Sequence, residues 1–259
     1  MLETRDLTIR FGGHVAVDHV SCAFVPGTLT AIVGPNGAGK TTYFNLISGQ
    51  LPASEGTVLL GGEDITALPA PLRTRRGLGR AFQLTQLFPN LTVQENVRLA
   101  IQARESGRGH GGPFGGLDIF RVWLDRADWL EEARAILAQV RLADRASAHA
   151  SSLPHGDQRK LEVAMLIALD PQVFMFDEPT AGMSVDEVPV ILDLVRALKA
   201  RRDRTILLVE HKMDVVRELA DRIIVLHNGA LVADGEPAEV IASPIVQQAY
   251  LGTMPEAVG

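Results

Sequence analysis

Apolar and polar positions change their period twice along this chain. Residues 7–11 alternate, with Leu7, Ile9 and Phe11 against Thr8 and Arg10, the signature of a half-buried strand. Gly12-Gly13 turns the chain, and residues 15–24 resume with mixed positions. The run 29–33, Leu-Thr-Ala-Ile-Val, predicts a strand, and helical spacing follows over 42–47. Residues 57–60 predict a short strand closed by Gly61-Gly62. From residue 84 to residue 150 strand signals vanish and the period lengthens. Leu130, Ala133, Leu137 and Val140 fall on one helical face, with Glu131, Glu132 and Arg134 elsewhere. A Gly-rich run between Glu105 and Gly116 has the composition of a mobile loop within that helical stretch.

Alternation of helix and strand returns at residue 161. A helix ends at Asp170-Pro171, and Val173-Phe174-Met175-Phe176 is the continuous apolar run of a strand buried on both faces of a parallel sheet. Residues 191–198 predict a helix and 205–209 another buried strand. Asn228-Gly229, between apolar runs at 223–226 and 231–233, predicts a two-residue hairpin. The pattern is a single α/β domain over residues 1–259, an α/β core with an antiparallel β subdomain and a helical subdomain, residues 84–160, inserted in it. No internal repeat is present.

The loop after the run 29–33 carries the sharpest chemistry. Gly34-Pro35-Asn36-Gly37-Ala38-Gly39-Lys40-Thr41 fits G-x-x-x-x-G-K-[ST] between a strand and a helix, the context this phosphate-cradling loop requires. Its glycines let successive N–H groups converge on phosphate oxygens, and the helix N-terminus adds positive potential. Lys40 would reach the β- and γ-phosphates, and the Thr41 hydroxyl would ligate Mg²⁺. Gly34 through Thr41, with Thr42 next in the helix, form the expected nucleoside triphosphate site.

Downstream, the apolar run 173–176 delivers Asp177-Glu178 at its carboxyl end. An acid so placed beside a phosphate loop is the second Mg²⁺ station of ATPases. Asp177 would hold the metal, directly or through water, and Glu178 would polarise the attacking water. His211 follows the second buried strand, where it would meet a γ-phosphate; on composition alone it is also a surface histidine at a strand end. Gln83 would complete the metal and water shell, although a glutamine taken singly carries no signal.

Bulk composition narrows the setting. With 259 residues, 46% hydrophobic and 22% charged, the chain can bury a real core. No run approaches the roughly 18 apolar residues of a membrane span, and the start of the chain predicts no secretory signal. The single cysteine, Cys22, cannot form an internal disulfide and suits a reducing compartment. A formal charge of -6 argues against nucleic acid or an anionic lipid surface as the main partner. Work at a membrane would therefore require another protein to hold the chain there.

The segment Leu153-Pro154-His155-Gly156-Asp157-Gln158-Arg159-Lys160 precedes an apolar helix and the Asp177-Glu178 strand. In that place it resembles the signature loop of ABC ATPases, and the chain is similar to an ABC nucleotide-binding domain over essentially its whole length. The resemblance implies that Phe11 stacks on adenine, that Gln83 is the lid-loop glutamine and that His211 is the switch histidine. It further implies that Leu153, His155 and Gly156 complete the nucleotide site of a second subunit. Pro154, His155 and Asp157 stand where the family's signature carries serine, glycine and glutamine, and Ser184 stands where its D-loop carries aspartate.

The Leu-Pro-x-Gly signature, the stretch from Asp177 through Met183 and the ending Ala249-Tyr250-Leu251-Gly252 resemble one branch, the hydrophobic (branched-chain) amino acid uptake family. The long helical insertion is similar to that of the larger of its two ATPase subunits. This resemblance implies an ATPase using ATP and Mg²⁺, clamped as a hetero- or homodimer with a homologous ATPase. It would sit under two integral-membrane permeases at the cytoplasmic face of the inner membrane, with an extracytoplasmic binding protein delivering the solute. A small solute is the expected cargo, with branched-chain or other hydrophobic amino acids as the family default. Urea, amide or aromatic-acid import, an ABC exporter, a soluble ABC switch protein and a P-loop kinase stand as alternatives.

Overall fold

The computed structural model describes residues 1–81, 87–107 and 127–251. The alternation at the start of the chain makes a long antiparallel hairpin, β1 (Leu2–Phe11) and β2 (His14–Phe24), closed with Phe11 opposite His14. Its inward positions, among them Leu2, Leu7, Ile9, Val17, Val20 and Phe24, are buried together. β4 (Glu55–Leu60) and β5 (Glu63–Asp64) extend this into a four-stranded sheet of order β2-β1-β4-β5.

The second sheet is built from the continuous apolar runs. Every residue of β3 (Leu29–Val33), β7 (Val173–Asp177) and β8 (Thr205–Val209) is buried, as strands covered on both faces require. With β6 (Leu78–Ala81), β9 (Arg222–His227) and β10 (Ala230–Gly235) they form a sheet of order β10-β9-β3-β8-β7-β6. β3 runs parallel to β8 and β9, and β7 parallel to β8. The segments that follow β3, β7 and β8 therefore leave the sheet at one edge, the edge where α/β folds bind ligands.

Helices follow the predicted places with altered limits. α1 (Lys40–Ser48) starts two residues earlier than its apolar spacing suggested, because the phosphate loop already supplies the first turn. α2 (Ala70–Arg75) is short and was not predicted, but it brings the buried Arg73 against the end of α1. The Arg73 guanidinium donates to the carbonyls of Leu46, Ile47, Leu68 and Thr66 at 2.7–2.8 Å. Two of these belong to the last turn of α1, whose carbonyls lack helical partners.

Met1–Arg80, Gln172–Glu178 and Arg196–Gly259 form one compact unit, which contains both sheets; Ala81–Pro171 and Pro179–Val195 form the other. The second unit holds α3 (Val93–Gly107), α4 (Ala127–Gln139) and α5 (His155–Leu169), with short 3₁₀ turns at Ala143–Arg145 and Ala150–Ser152 between α4 and α5. The expected loop beginning at Glu105 is helix as far as Gly107, and its remainder lies outside the described residues. The apolar face of α4 is also displaced from the expected one. Trp129, Ala133, Ile136 and Leu137 are buried, whereas Leu130 is 36% exposed. The large indole sets the centre of the stripe, which leaves Leu130 at its margin.

α5 stops at Asp170, whose φ is 46°, and α6 (Val188–Ala200) covers the predicted 191–198. The hairpin at Asn228-Gly229 joins β9 to β10, with φ of 49° and 82° at the two turn residues, the double positive φ of a tight I′ turn. α7 (Met213–Leu219), α8 (Pro237–Ala242) and α9 (Pro244–Leu251) complete the chain.

Candidate functional site

The loop between β3 and α1 owes its course to backbone crowding. A Cβ on Gly34 would stand 2.1 Å from the Leu226 carbonyl oxygen, and one on Gly39 2.4 Å from that of Ala16. Both residues also hold positive φ, so no other residue type fits either place. Gly39 is the N-cap of α1 and no side chain caps this helix. Its first N–H groups are left for an external acceptor, as at anion-binding helix starts.

Asn36, Gly37 and Thr41 are exposed, Pro35, Gly39 and Thr42 are half-buried, and Gly34, Ala38 and Lys40 are buried. The Lys40 ammonium folds back over the loop and donates to the carbonyls of Gly34 at 2.7 Å and Pro35 at 2.9 Å. Burial pulls its pKa below the ordinary lysine value, and the nearby charges of Glu178 and Asp177 push it back up. The loop thus holds a cation against its own carbonyls, where a phosphate group would give it a stronger, charged acceptor.

At the end of β7 the two acids part. Asp177 is fully buried, and its Oδ2 accepts from Arg80 Nη2 at 2.7 Å. Its Oδ1 is buried with no hydrogen-bond partner among the described residues. An orphaned carboxylate oxygen is costly unless something binds it, and it is the donor type a hard divalent cation takes. Thr41, the other residue the sequence assigns to the metal, is exposed in the first turn of α1. Among the described residues no cluster of three or more His, Cys, Asp or Glu side chains is arranged for a metal.

Glu178 turns away from its neighbour through a left-handed backbone with φ 49°. Its N–H donates to the Val209 carbonyl at 2.9 Å, tying the turn to the end of β8. Its Oε1 lies 2.8 Å from His211 Nε2, with the glutamate side chain 23% and the histidine 39% exposed. Thus the two residues expected to act on the attacking water and the γ-phosphate touch each other at the sheet edge. Phe11 is 51% exposed at the end of β1, available for stacking. Gln83 and Leu84 lie outside the described residues.

In the second unit the Leu153–Gly156 segment sits at the start of α5. Leu153 is buried, Pro154 is the N-cap, and Pro154 and His155 are exposed. Gly156 is buried, and a Cβ there would come within 2.3 Å of Glu187 Oε2. Glu187 in turn accepts from Ser184 N at 3.1 Å and Ser184 Oγ at 3.0 Å. Lys160 Nζ bridges Glu187 at 3.1 Å and Asp157 at 2.9 Å. The Ser184 N–H first, then Lys160, holds the Glu187 carboxyl below its usual range. The signature segment and the residues around Ser184 are therefore one hydrogen-bonded assembly. Neither Glu187 nor Arg80 was singled out in sequence, because each acts through a partner distant in the chain or masked by ordinary helix composition.

Comparison with known proteins agrees with this geometry. The family model for ABC transporter proteins matches residues 17–181. The chain is 37% identical over 255 residues to the high-affinity branched-chain amino acid transport ATP-binding protein LivG of Escherichia coli K12, covering 97% of this chain and 98% of that one. It is 36% identical over 252 residues to the corresponding protein BraF of Pseudomonas aeruginosa, with the same coverage. Among solved structures, it superposes with a TM-score of 0.79 on the ADP conformation of an ATP-binding cassette of an ABC transporter, at 31% identity, over 98% of this chain and 99% of that one. A nucleotide-free cassette from an ABC transporter gives the same TM-score at 29% identity and the same coverage.

Proposed function

The chain belongs to the ABC transporter family, and from that premise we propose that it is the ATP-hydrolysing subunit of an importer for branched-chain or other hydrophobic amino acids. The observation that carries the ATPase reading is the alignment, at one sheet edge, of the Lys40 loop, the orphaned Asp177 oxygen and the Glu178–His211 pair. The cargo assignment rests on full-length similarity to LivG and BraF, together with the Leu-Pro-His-Gly signature and the Tyr-Leu-Gly ending.

In this reading Phe11 supports the adenine, and the N–H groups from Gly34 to Thr42 with Lys40 grip the phosphates. Thr41, Asp177 and Gln83 would hold Mg²⁺, whose chemistry when bound would be to neutralise phosphate charge. Glu178 takes the proton of the attacking water. His211 keeps Glu178 aimed and contacts the γ-phosphate. Residues Leu153, His155 and Gly156 face the nucleotide of a homologous ATPase subunit, so ATP joins the two chains. Residues 84–160, including the exposed Phe88, form the helical subdomain that presses on two permease subunits, which a binding protein supplies with solute. No helix among the described residues is long and apolar enough to cross a membrane. In this reading the permeases hold the chain at the cytoplasmic face.

The test uses the membrane-extracted complex. The chain should co-purify with integral-membrane permeases, and Glu178→Gln should lower steady-state ATP turnover by about 10²–10⁴-fold, the usual worth of a general base, while ATP still binds. Turnover within a factor of two of wild type removes Glu178 from that role. Co-purification with ribosomes instead of permeases removes the importer reading.

A further inference from the structure

Arg80 sits on β6 with its side chain only 5% exposed, an unusual depth for a cation. Its guanidinium is held from two sides. Nη2 donates to Asp177 Oδ2 at 2.7 Å; Nη1 donates to Asn45 Oδ1 at 2.7 Å and Ser48 Oγ at 3.0 Å, both on α1. The guanidinium carbon also stands 5.3 Å from the centre of the Phe44 ring, a favourable cation–π distance. One planar group therefore ties α1, whose first turn carries Lys40 and Thr41, to the strand end that carries Asp177.

We propose that Arg80 is the positioning residue that decides which Asp177 oxygen is left for the divalent cation, an inference that rests on the MgATP reading above. A carboxylate rotating about its last bond would offer either oxygen. Here Oδ2 is committed to Arg80, and Oδ1 is the buried oxygen without a partner among the described residues. The same grip on Asn45 and Ser48 sets the spacing between the Asp177 and Thr41 oxygens, the two protein donors assigned to the metal. Outer partners of this kind set the orientation of metal-binding groups.

A merely structural ion pair between α1 and β7 would use the same hydrogen bonds, so the two roles must be separated by what the metal feels. Charge and orientation act in opposite directions. A cation beside the site repels the metal, so removing the positive charge would tighten metal binding. Misaiming Asp177 would weaken it. Arg80→Lys keeps the charge but replaces a rigid fork by a single flexible donor, which isolates orientation. The double variant Asn45→Ala/Ser48→Ala keeps Arg80 and Asp177 intact while removing the guanidinium's hydrogen bonds to α1 side chains.

The full-length chain is titrated with ADP in EDTA, and its ADP complex is titrated with Mn²⁺ followed by electron paramagnetic resonance. Metal-free ADP affinity should stay within about twofold of wild type in both variants, while Mn²⁺ affinity falls roughly tenfold in Arg80→Lys, the low end of what losing a ligand's hydrogen-bond partner costs, and about threefold in the double variant, where that partner stays and only its support is removed. Should Arg80→Lys fail the circular dichroism check for folding, the double variant carries the same test. Mn²⁺ binding that is unchanged or tighter overturns the inference. So does a fall in ADP and Mn²⁺ affinity by one common factor, which would mark a general loosening of the loop. A wild-type chain that shows no Mn²⁺ binding in its ADP complex instead removes the MgATP reading beneath it.

Discussion

Glu178 occupies a backbone conformation that costs an ordinary side chain about 1–2 kcal/mol, and it does so while touching His211. Strain of this kind persists only where surrounding contacts over-determine it, here the N–H bond to the Val209 carbonyl and the 2.8 Å contact to the imidazole. Lys40 presents the complementary case, a buried cation satisfied by two loop carbonyls. Exchanging those neutral acceptors for phosphate oxygens strengthens each hydrogen bond it makes. Lys40→Ala should therefore weaken ATP binding by roughly 10–100-fold, the equivalent of one or two charged hydrogen bonds, in an equilibrium titration. An affinity within threefold of wild type would remove Lys40 from the phosphate site. Lys40, Asp177, Glu178 and His211 were legible in sequence because each follows an apolar run at a fixed offset. Arg80 was not. Its meaning lies in Asp177, 97 positions away, and an arginine in a four-residue strand carries no pattern of its own.

Among the elements, α3 shows how local chemistry sets a boundary. Thr92 and Glu95 form a reciprocal cap: Thr92 N and Oγ1 donate to Glu95 Oε2 at 2.7 and 2.8 Å, and Glu95 N donates to Thr92 Oγ1 at 3.2 Å. This is the S/T-x-x-E capping box. The Thr92 N–H first, then its hydroxyl, holds the Glu95 carboxyl below its ordinary value of 4.5. A carboxylate lowered on folding contributes stability above its unfolded pKa and loses it as pH falls through the folded one. Thr92→Ala should cost about 1 kcal/mol at neutral pH, read by urea denaturation, and that difference should shrink once the pH drops below the Glu95 range. A pH-independent difference would show that the carboxylate contributes nothing to the cap. α5 was readable from its length and apolar character, and the buried strands from unbroken apolar runs. β6, α2, α7 and α8 were not, because four to seven residues give too few repeats for either period to register. Leu130 was misplaced because spacing alone does not weigh an indole against a leucine.

At the scale of the whole chain, a formal charge of -6 opposes bringing two copies or two homologues together around an anionic nucleotide. Closure must draw on local positive potential, and the start of α5 offers it through exposed Pro154 and His155 on a helix N-terminus. The buried Gly156 beneath them has no room for a side chain: an added Cβ would displace the Glu187 carboxylate, and with it the Ser184 turn and the Lys160 bridge. Gly156→Ala thus disturbs the surface offered to a partner without touching any residue of the chain's own phosphate loop. In a Glu178→Gln background, where bound ATP persists, sedimentation velocity should show pairing of the parent on adding MgATP and its loss in the Gly156→Ala variant. Equilibrium titration should meanwhile find ATP affinity of the single chain within about twofold, since the contacts an added Cβ would disturb, to Glu187, Ser184 and Lys160, include no residue of the phosphate loop. Equal pairing by parent and variant would mean that the Leu153–Gly156 segment does not complete a neighbour's site, and the clamp would have to be sought on another face.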